Sequence, residues 1–228
     1  AGSTPEARRY TAVADAEVLL KGPSSQRRWP LPPLPAGISP ALISYVAAGF
    51  LDLKPLVLSL GLSQLPPFPH LRFDLPSNGP ADCLSTGHAM HLERVHELWQ
   101  KGYLMGLKMR KPLLIAECVP GGTTTAQAVL TGLGLSVKDL VGGSFRKPPR
   151  LMKQELVDRG LGAAGLGVNP GPKRLLAAVG DPFQSAAVGI LLGARAAGQQ
   201  VLMGGGSQML AVLALALSEV QPSLRSDF

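Results

Sequence analysis

The sequence predicts an α/β fold: a three-layer, mostly parallel sheet with helices on both faces and Gly-rich strand-to-helix turns. Three observations predict it. From residue 112 onward, apolar runs of strand length alternate with segments of helix length. Clusters of glycine stand at the junctions between them. Hydrophobic residues make up 46% of 228, enough for a substantial core in one domain and too many for a disordered chain.

The elements follow in order. Thr4-Pro5-Glu6 reads as a helix start, with proline in the first turn. Residues 22–40 are rich in proline and polar residues and read as a loop, and residues 40–48 as a short apolar helix. The run at 56–60, followed by Gly61, reads as a buried strand, and residues 63–82 as a loop with several prolines. Residues 88–101 have helical spacing, with Met90, Val95, Leu98 and Trp99 on one face. Then come a strand at 112–116, helices at 123–133 and 152–159, a strand at 175–179, a helix at 184–197, a strand at 200–203 and a helix at 207–217. Ligands of such sheets bind at the carboxyl ends of strands, so the Gly-rich turns are expected along one edge.

Composition narrows the function. The net charge of +7 favours anionic partners. Aromatics are only 5% and do not interleave with the basic residues, so base-stacking nucleic-acid binding is not expected. The longest apolar runs, such as 209–217, are too short to span a bilayer. Two distant cysteines, Cys83 and Cys118, form neither a disulfide framework nor a metal finger, which fits a reducing cytoplasm. His88, His91 and His96 fall in one predicted helix, but two ligands on one face do not make a site, and no metal is expected. Neither a serine elbow nor a Walker loop occurs. The chain opens at Ala1 in what reads as a polar loop, which suggests a fragment.

Three turns carry the candidate chemistry. Glu117 through Thr125 reads Glu-Cys-Val-Pro-Gly-Gly-Thr-Thr-Thr between a strand and a helix. Its glycines admit close backbone approach, and the helix start offers free N–H groups and a positive dipole end, which suit an anion. One threonine could equally cap the helix. Glu117 would be a carboxylate at the end of a buried strand, in need of a partner or a task. At Gly180-Asp181-Pro182, the aspartate either caps the next helix or contacts a ribose hydroxyl. Gly204-Gly205-Gly206 is either a close-approach turn for a ligand or a tight packing turn. Residues 160–165 match GxGxxG as text, but a polar helix precedes them and Asn169-Pro170-Gly171-Pro172 follows, so a dinucleotide fingerprint is rejected.

The stretch Glu117 through Ala126 resembles the nicotinate-nucleotide:dimethylbenzimidazole phosphoribosyltransferase family, which carries Gly-Glu-Met-Gly-Ile-Gly-Asn-Thr-Thr there. It is most similar to the divergent archaeal and cyanobacterial branch, with Glu-x-Val-Pro-Gly-Gly-Thr-Thr-Thr. Gly87-His88-Ala89-Met90 resembles the family's Gly-x-Ala-Met, and Lys153 falls where the family has a phosphate-contacting lysine. Val179 through Gly206 resembles the stretch around its nucleotide site, and Pro35-Ala36-Gly37-Ile38-Ser39 its Pro-Pro-Gly-Ser-Leu.

The resemblance implies transfer of phosphoribose from nicotinate mononucleotide to dimethylbenzimidazole or a related base, in cobalamin lower-ligand synthesis, by a cytoplasmic homodimer with no cofactor. It implies phosphate and nucleotide contacts at Gly121, Gly122, Thr123, Thr124, Lys153, Gly180, Asp181, Gly204, Gly205 and Gly206. It implies an acceptor-base pocket at Gly37, Ser39 and Met90, and an auxiliary catalytic role for Glu117. The family's general base, a glutamate in a Glu-Gly-Ser/Thr-Gly motif, has no match before Phe228, and its first strand none after Ala1. The expectation is therefore a single α/β domain over 1–228, cut from a longer protein. The alternative is a non-catalytic module that binds a nucleotide or cobamide precursor.

Overall fold

A computed structural model describes residues 4–23, 26–31, 39–143 and 147–227. Gly37, one of the expected acceptor-pocket residues, lies outside them. The class is α/β with parallel strands, as expected. The chain divides into two compact units.

The first unit comprises residues 1–80, 118–121 and 143–148. Helix α1 (Pro5–Lys21) starts where the Thr-Pro pair directs: Thr4 accepts from the Ala7 N–H and proline follows at the first position. Ala7, Val13, Ala14 and Val18 form its buried stripe. Helix α2 (Pro40–Phe50) is capped by Ser39. Ser39 is buried, and its hydroxyl donates to Asp15 Oδ1 at 2.6 Å. Cys118 donates to the other oxygen of Asp15 at 3.2 Å. Strand β1 (Leu58–Ser59) pairs in parallel with β2 (Leu71–Arg72). The predicted strand at 56–60 thus shrinks to a two-residue ladder, with its partner inside the stretch read as loop. Prolines at 66, 67 and 69 crowd the approach to β2 and leave little backbone to pair.

The second unit comprises residues 81–117, 122–142 and 149–228. It holds α3 (Leu92–Leu107), β3 (Leu113–Ala116), α4 (Gly122–Gly132), α5 (Arg150–Ala164), α6 (Pro172–Val179), α7 (Pro182–Ala196), β4 (Val201–Gly204) and α8 (Ser207–Glu219). The core is built from Val95, Val129, Val157, Leu175, Leu176, Val188 and Leu215, so that each of these helices contributes to it. Strands β3 and β4 run parallel, in register from Leu113–Val201 to Ala116–Gly204.

Two readings are corrected. Residues 175–179 are not a strand but the end of α6. Pro172 sits at the first helical position, and Leu175, Leu176, Ala178 and Val179 make one buried helical face. A short apolar run fits either period, and here the proline start decides. The histidines do not share a helix either: α3 begins at Leu92, with His91 as its cap residue and His88 before it. The rejected GxGxxG text lies at the end of α5, where Gly165 takes a left-handed capping conformation (φ 56°).

Helices α3 and α7 interlock through glycines. Cβ atoms added at Gly102 and Gly106 of α3 would stand 2.3 Å from the carbonyl oxygens of Ala186 and Ile190. Cβ atoms at Gly189 and Gly193 of α7 would stand 2.1 Å from those of Trp99 and Tyr103. Each helix thus carries a G-x-x-x-G step facing the other, and the backbones meet directly.

Candidate functional site

The ladder fixes the site's frame. Ala116 and Gly204 are register partners, so Glu117 and Gly205 leave the same end of the sheet. Helix α4 begins at Gly122 and α8 at Ser207, and the two helices pack against each other. The first and third expected turns therefore belong to one carboxyl edge. The strands are not fully buried: Leu114 and Leu202 are 48% and 65% exposed, and Glu117 is half-buried.

The second turn joins them by side chains rather than by a strand. Asp181 caps α7 in a capping box: its Oδ1 accepts from the Gln184 N–H at 3.0 Å, and Gln184 Oε1 accepts from the Asp181 N–H at 3.2 Å. Its Oδ2 accepts from Thr125 Oγ1 at 2.6 Å and from Gln208 Nε2 at 2.7 Å. Gln184 Nε2 donates to Gln208 Oε1 at 2.7 Å. Asp181 is 3% exposed, Gln184 0% and Gln208 2%. Burial raises the Asp181 carboxyl above its ordinary range, while the bonds from Thr125, Gln184 and Gln208 pull it back down.

Lys153 comes from α5. It is 5% exposed, and its Nζ donates to Thr123 Oγ1 at 2.8 Å and to the Gly142 carbonyl. No carboxylate pairs with it among the described residues. Burial lowers its pKa from the ordinary value of 10.5. Among the described residues this buried ammonium is held by neutral oxygens, beside the first turn of α4, and makes a position of concentrated positive potential.

The other expected residues are placed as follows. Thr124 is half-buried on α4, and Gly122 is buried at its start. Gly121 belongs to the first unit and takes φ 83° with open space where a Cβ would stand. Gly180 is buried, and a Cβ there would meet the Leu176 side chain at 2.6 Å, so packing accounts for this glycine. Gly204, Gly205 and Gly206 are exposed. Met90 is 8% exposed in the core, its N–H bonded to the Ala177 carbonyl. Ser39 belongs to the first unit. Sequence reasoning missed Gln184 and Gln208. Gln184 was findable, since Asp-x-x-Gln is a capping-box pattern; Gln208 carries no local signal.

Comparison with known proteins now decides the family. A family model described as phosphoribosyltransferase matches residues 63–226. This chain belongs to that phosphoribosyltransferase family. The chain is 66% identical over 227 residues to a UPF0284 protein of Prochlorococcus marinus (strain MIT 9313), covering 100% of this chain and 56% of the relative. It is 58% identical over 220 residues to a UPF0284 protein of Parasynechococcus marenigrum (strain WH8102), covering 96% and 55%. The chain thus spans little more than half the length of these curated relatives. The crystal structure of CobT from Thermus thermophilus superposes with a TM-score of 0.71 at 25% identity, covering 96% of this chain and 61% of that one. The expected family resemblance holds, and no helix among the described residues is long and apolar enough to cross a membrane.

Proposed function

We propose that the protein containing this chain transfers phosphoribose from nicotinate mononucleotide to dimethylbenzimidazole or a related base, in cobalamin lower-ligand synthesis. Family membership supports phosphoribosyl transfer in general. The observation that carries the finer reading is Lys153, a buried ammonium with no carboxylate partner among the described residues, bonded to Thr123 at the start of α4. A phosphate arriving there completes the lysine's charge pairing and meets the free N–H groups of the helix start. Gly122, Thr123, Thr124 and the exposed glycines Gly204, Gly205 and Gly206 are the residues proposed to line its approach.

In the reaction, the bond between ribose C1′ and the nicotinate nitrogen breaks, and its electron pair leaves with nicotinate. Oxocarbenium character builds at C1′. A nitrogen of the incoming base bonds to C1′ and loses its proton to a carboxylate. Glu117, which leaves the sheet edge directly after β3, is the auxiliary carboxylate for that step or for the developing positive charge. Gly37, Ser39 and Met90 remain the proposed acceptor-side residues, and the working assembly is a cytoplasmic homodimer.

Calorimetric titration with nicotinate mononucleotide, with inorganic phosphate as control, tests this reading. Saturable binding that Lys153→Ala abolishes supports it; equal binding by the variant would sink the phosphate assignment. Nicotinate release by the full-length protein, reduced in Glu117→Gln with binding retained, tests the chemistry. A binding module without turnover is the second reading. It is favoured by the commitment of both Asp181 oxygens to protein donors, which takes that carboxylate away from proton transfer.

A further inference from the structure

One buried carboxylate ties together the starts of three helices. Thr125 stands three residues into α4, Asp181 caps α7, and Gln208 is the second residue of α8. Oδ2 of Asp181 takes the Thr125 hydroxyl and the Gln208 amide, Oδ1 takes the Gln184 N–H, and Gln184 closes the ring on Gln208. Thr125 has one proton to give. Among the described residues its acceptors in reach are Asp181 Oδ2 at 2.6 Å and the Gly122 carbonyl at 3.0 Å, and the shorter, charged one is favoured. Two of the three helices begin at the turns that follow the paired strand ends Ala116 and Gly204.

We propose that Asp181 is a positioning residue. Without touching the substrate, it locks the turn at Gly122–Thr123 and the turn at Gly204–Gly206 into one anion-binding wall. Its reach is indirect. Fixing Thr125 fixes the first turn of α4, and with it Thr123, the partner of Lys153. Fixing Gln208 fixes the start of α8 and the glycines before it. The ribose contact expected from the sequence is replaced by this internal role, because a carboxylate 3% exposed, with protein donors on both oxygens, is closed off from a ligand. The ligand's identity here rests on the transferase reading; the clamp itself does not.

Asp181→Asn tests the clamp. Asparagine keeps the size and the helix cap but places N–H donors where Oδ2 accepted two bonds. Amide hydrogen exchange is expected to accelerate in residues 122–125 and 205–209. Affinity for nicotinate mononucleotide is expected to fall by roughly tenfold or more. Adding Gln208→Glu swaps the polarity of the ring, since the carboxylate introduced at position 208 would accept both from the amide introduced at position 181 and from Gln184. The double variant is expected to regain protection and affinity. Three outcomes overturn the proposal: unchanged exchange in Asp181→Asn, unchanged affinity in a folded Asp181→Asn, or a double variant that regains protection but not affinity, which would put the Asp181 carboxylate on the ligand. If the full-length protein binds no mononucleotide, the transferase reading falls, and the exchange result alone decides the clamp.

Discussion

Gly193 of α7 faces the carbonyl of Tyr103 in α3 so closely that a Cβ would stand 2.1 Å from its oxygen. The obstacle is backbone, which cannot rotate away. Gly193→Ala must therefore push two core helices apart, at a cost of about 1–3 kcal/mol or more. Gly162 in α5 has open space around a Cβ, so Gly162→Ala should stabilise by about 0.5–1 kcal/mol through helix propensity. Urea midpoints of the two variants should move in opposite directions. A neutral Gly193→Ala would mean that the helices do not pack through these glycines.

Lys153 supplies a test that activity assays cannot. Its folded pKa lies below the unfolded value, so between the two the unfolded chain holds a proton that the folded one lacks. Its contribution to stability therefore rises with pH across that window, up to 10.5, and the cost of the buried charge is fully present below it. A bound phosphate favours the ammonium, so binding at alkaline pH should take up protons. Calorimetry of nicotinate mononucleotide in buffers of differing ionisation enthalpy reads that uptake. Equal uptake by a Lys153→Arg variant that still binds would remove the lysine from the site.

Asp181 makes the opposite prediction on the acid side. Its folded pKa is raised above the ordinary 3.8, so from that value up to the folded pKa the native state holds a proton that the unfolded chain has lost. Relative to Asp181→Asn, the unaltered chain should lose stability as pH rises through this window, by about 1.4 kcal/mol for each pKa unit of elevation. Below 3.8 the titration difference vanishes and only the altered hydrogen bonds at Oδ2 separate the two. A stability difference that stays flat from the acid side of that window to neutral pH would show that the hydrogen bonds, not burial, set this carboxyl.

These sites differ in how far local sequence discloses them. Strands β3 and β4 were legible within a residue, because short apolar runs end in glycine-bearing turns and helices follow. Helix α6 was not, because Leu-Leu-Ala-Ala-Val satisfies both periods and only Pro172 breaks the tie. The reciprocal glycines of α3 and α7 were written in the chain, but each G-x-x-x-G has meaning only with a partner far away in sequence. The Thr125–Asp181–Gln208 clamp is likewise a tertiary fact. A glutamine in the first turn of an apolar helix does not reveal that it will be 2% exposed against a carboxylate.

Gly204 separates the two meanings of the third turn. It is the last paired residue of β4, and a Cβ there would meet its nearest neighbour, the Ile115 carbonyl oxygen, at 3.5 Å, an ordinary contact. The protein itself thus tolerates a methyl group, and alanine should stabilise the strand by about 0.5–1 kcal/mol over glycine. A ligand that needs the bare backbone does not tolerate it. Gly204→Ala is expected to raise the melting temperature slightly and to weaken nicotinate mononucleotide binding. If the melting point rises and affinity is untouched, the ligand does not approach Gly204 and this glycine answers to the turn alone. If affinity falls while stability holds, the loss lies in the ligand's approach, since the fold supplies no steric reason for it.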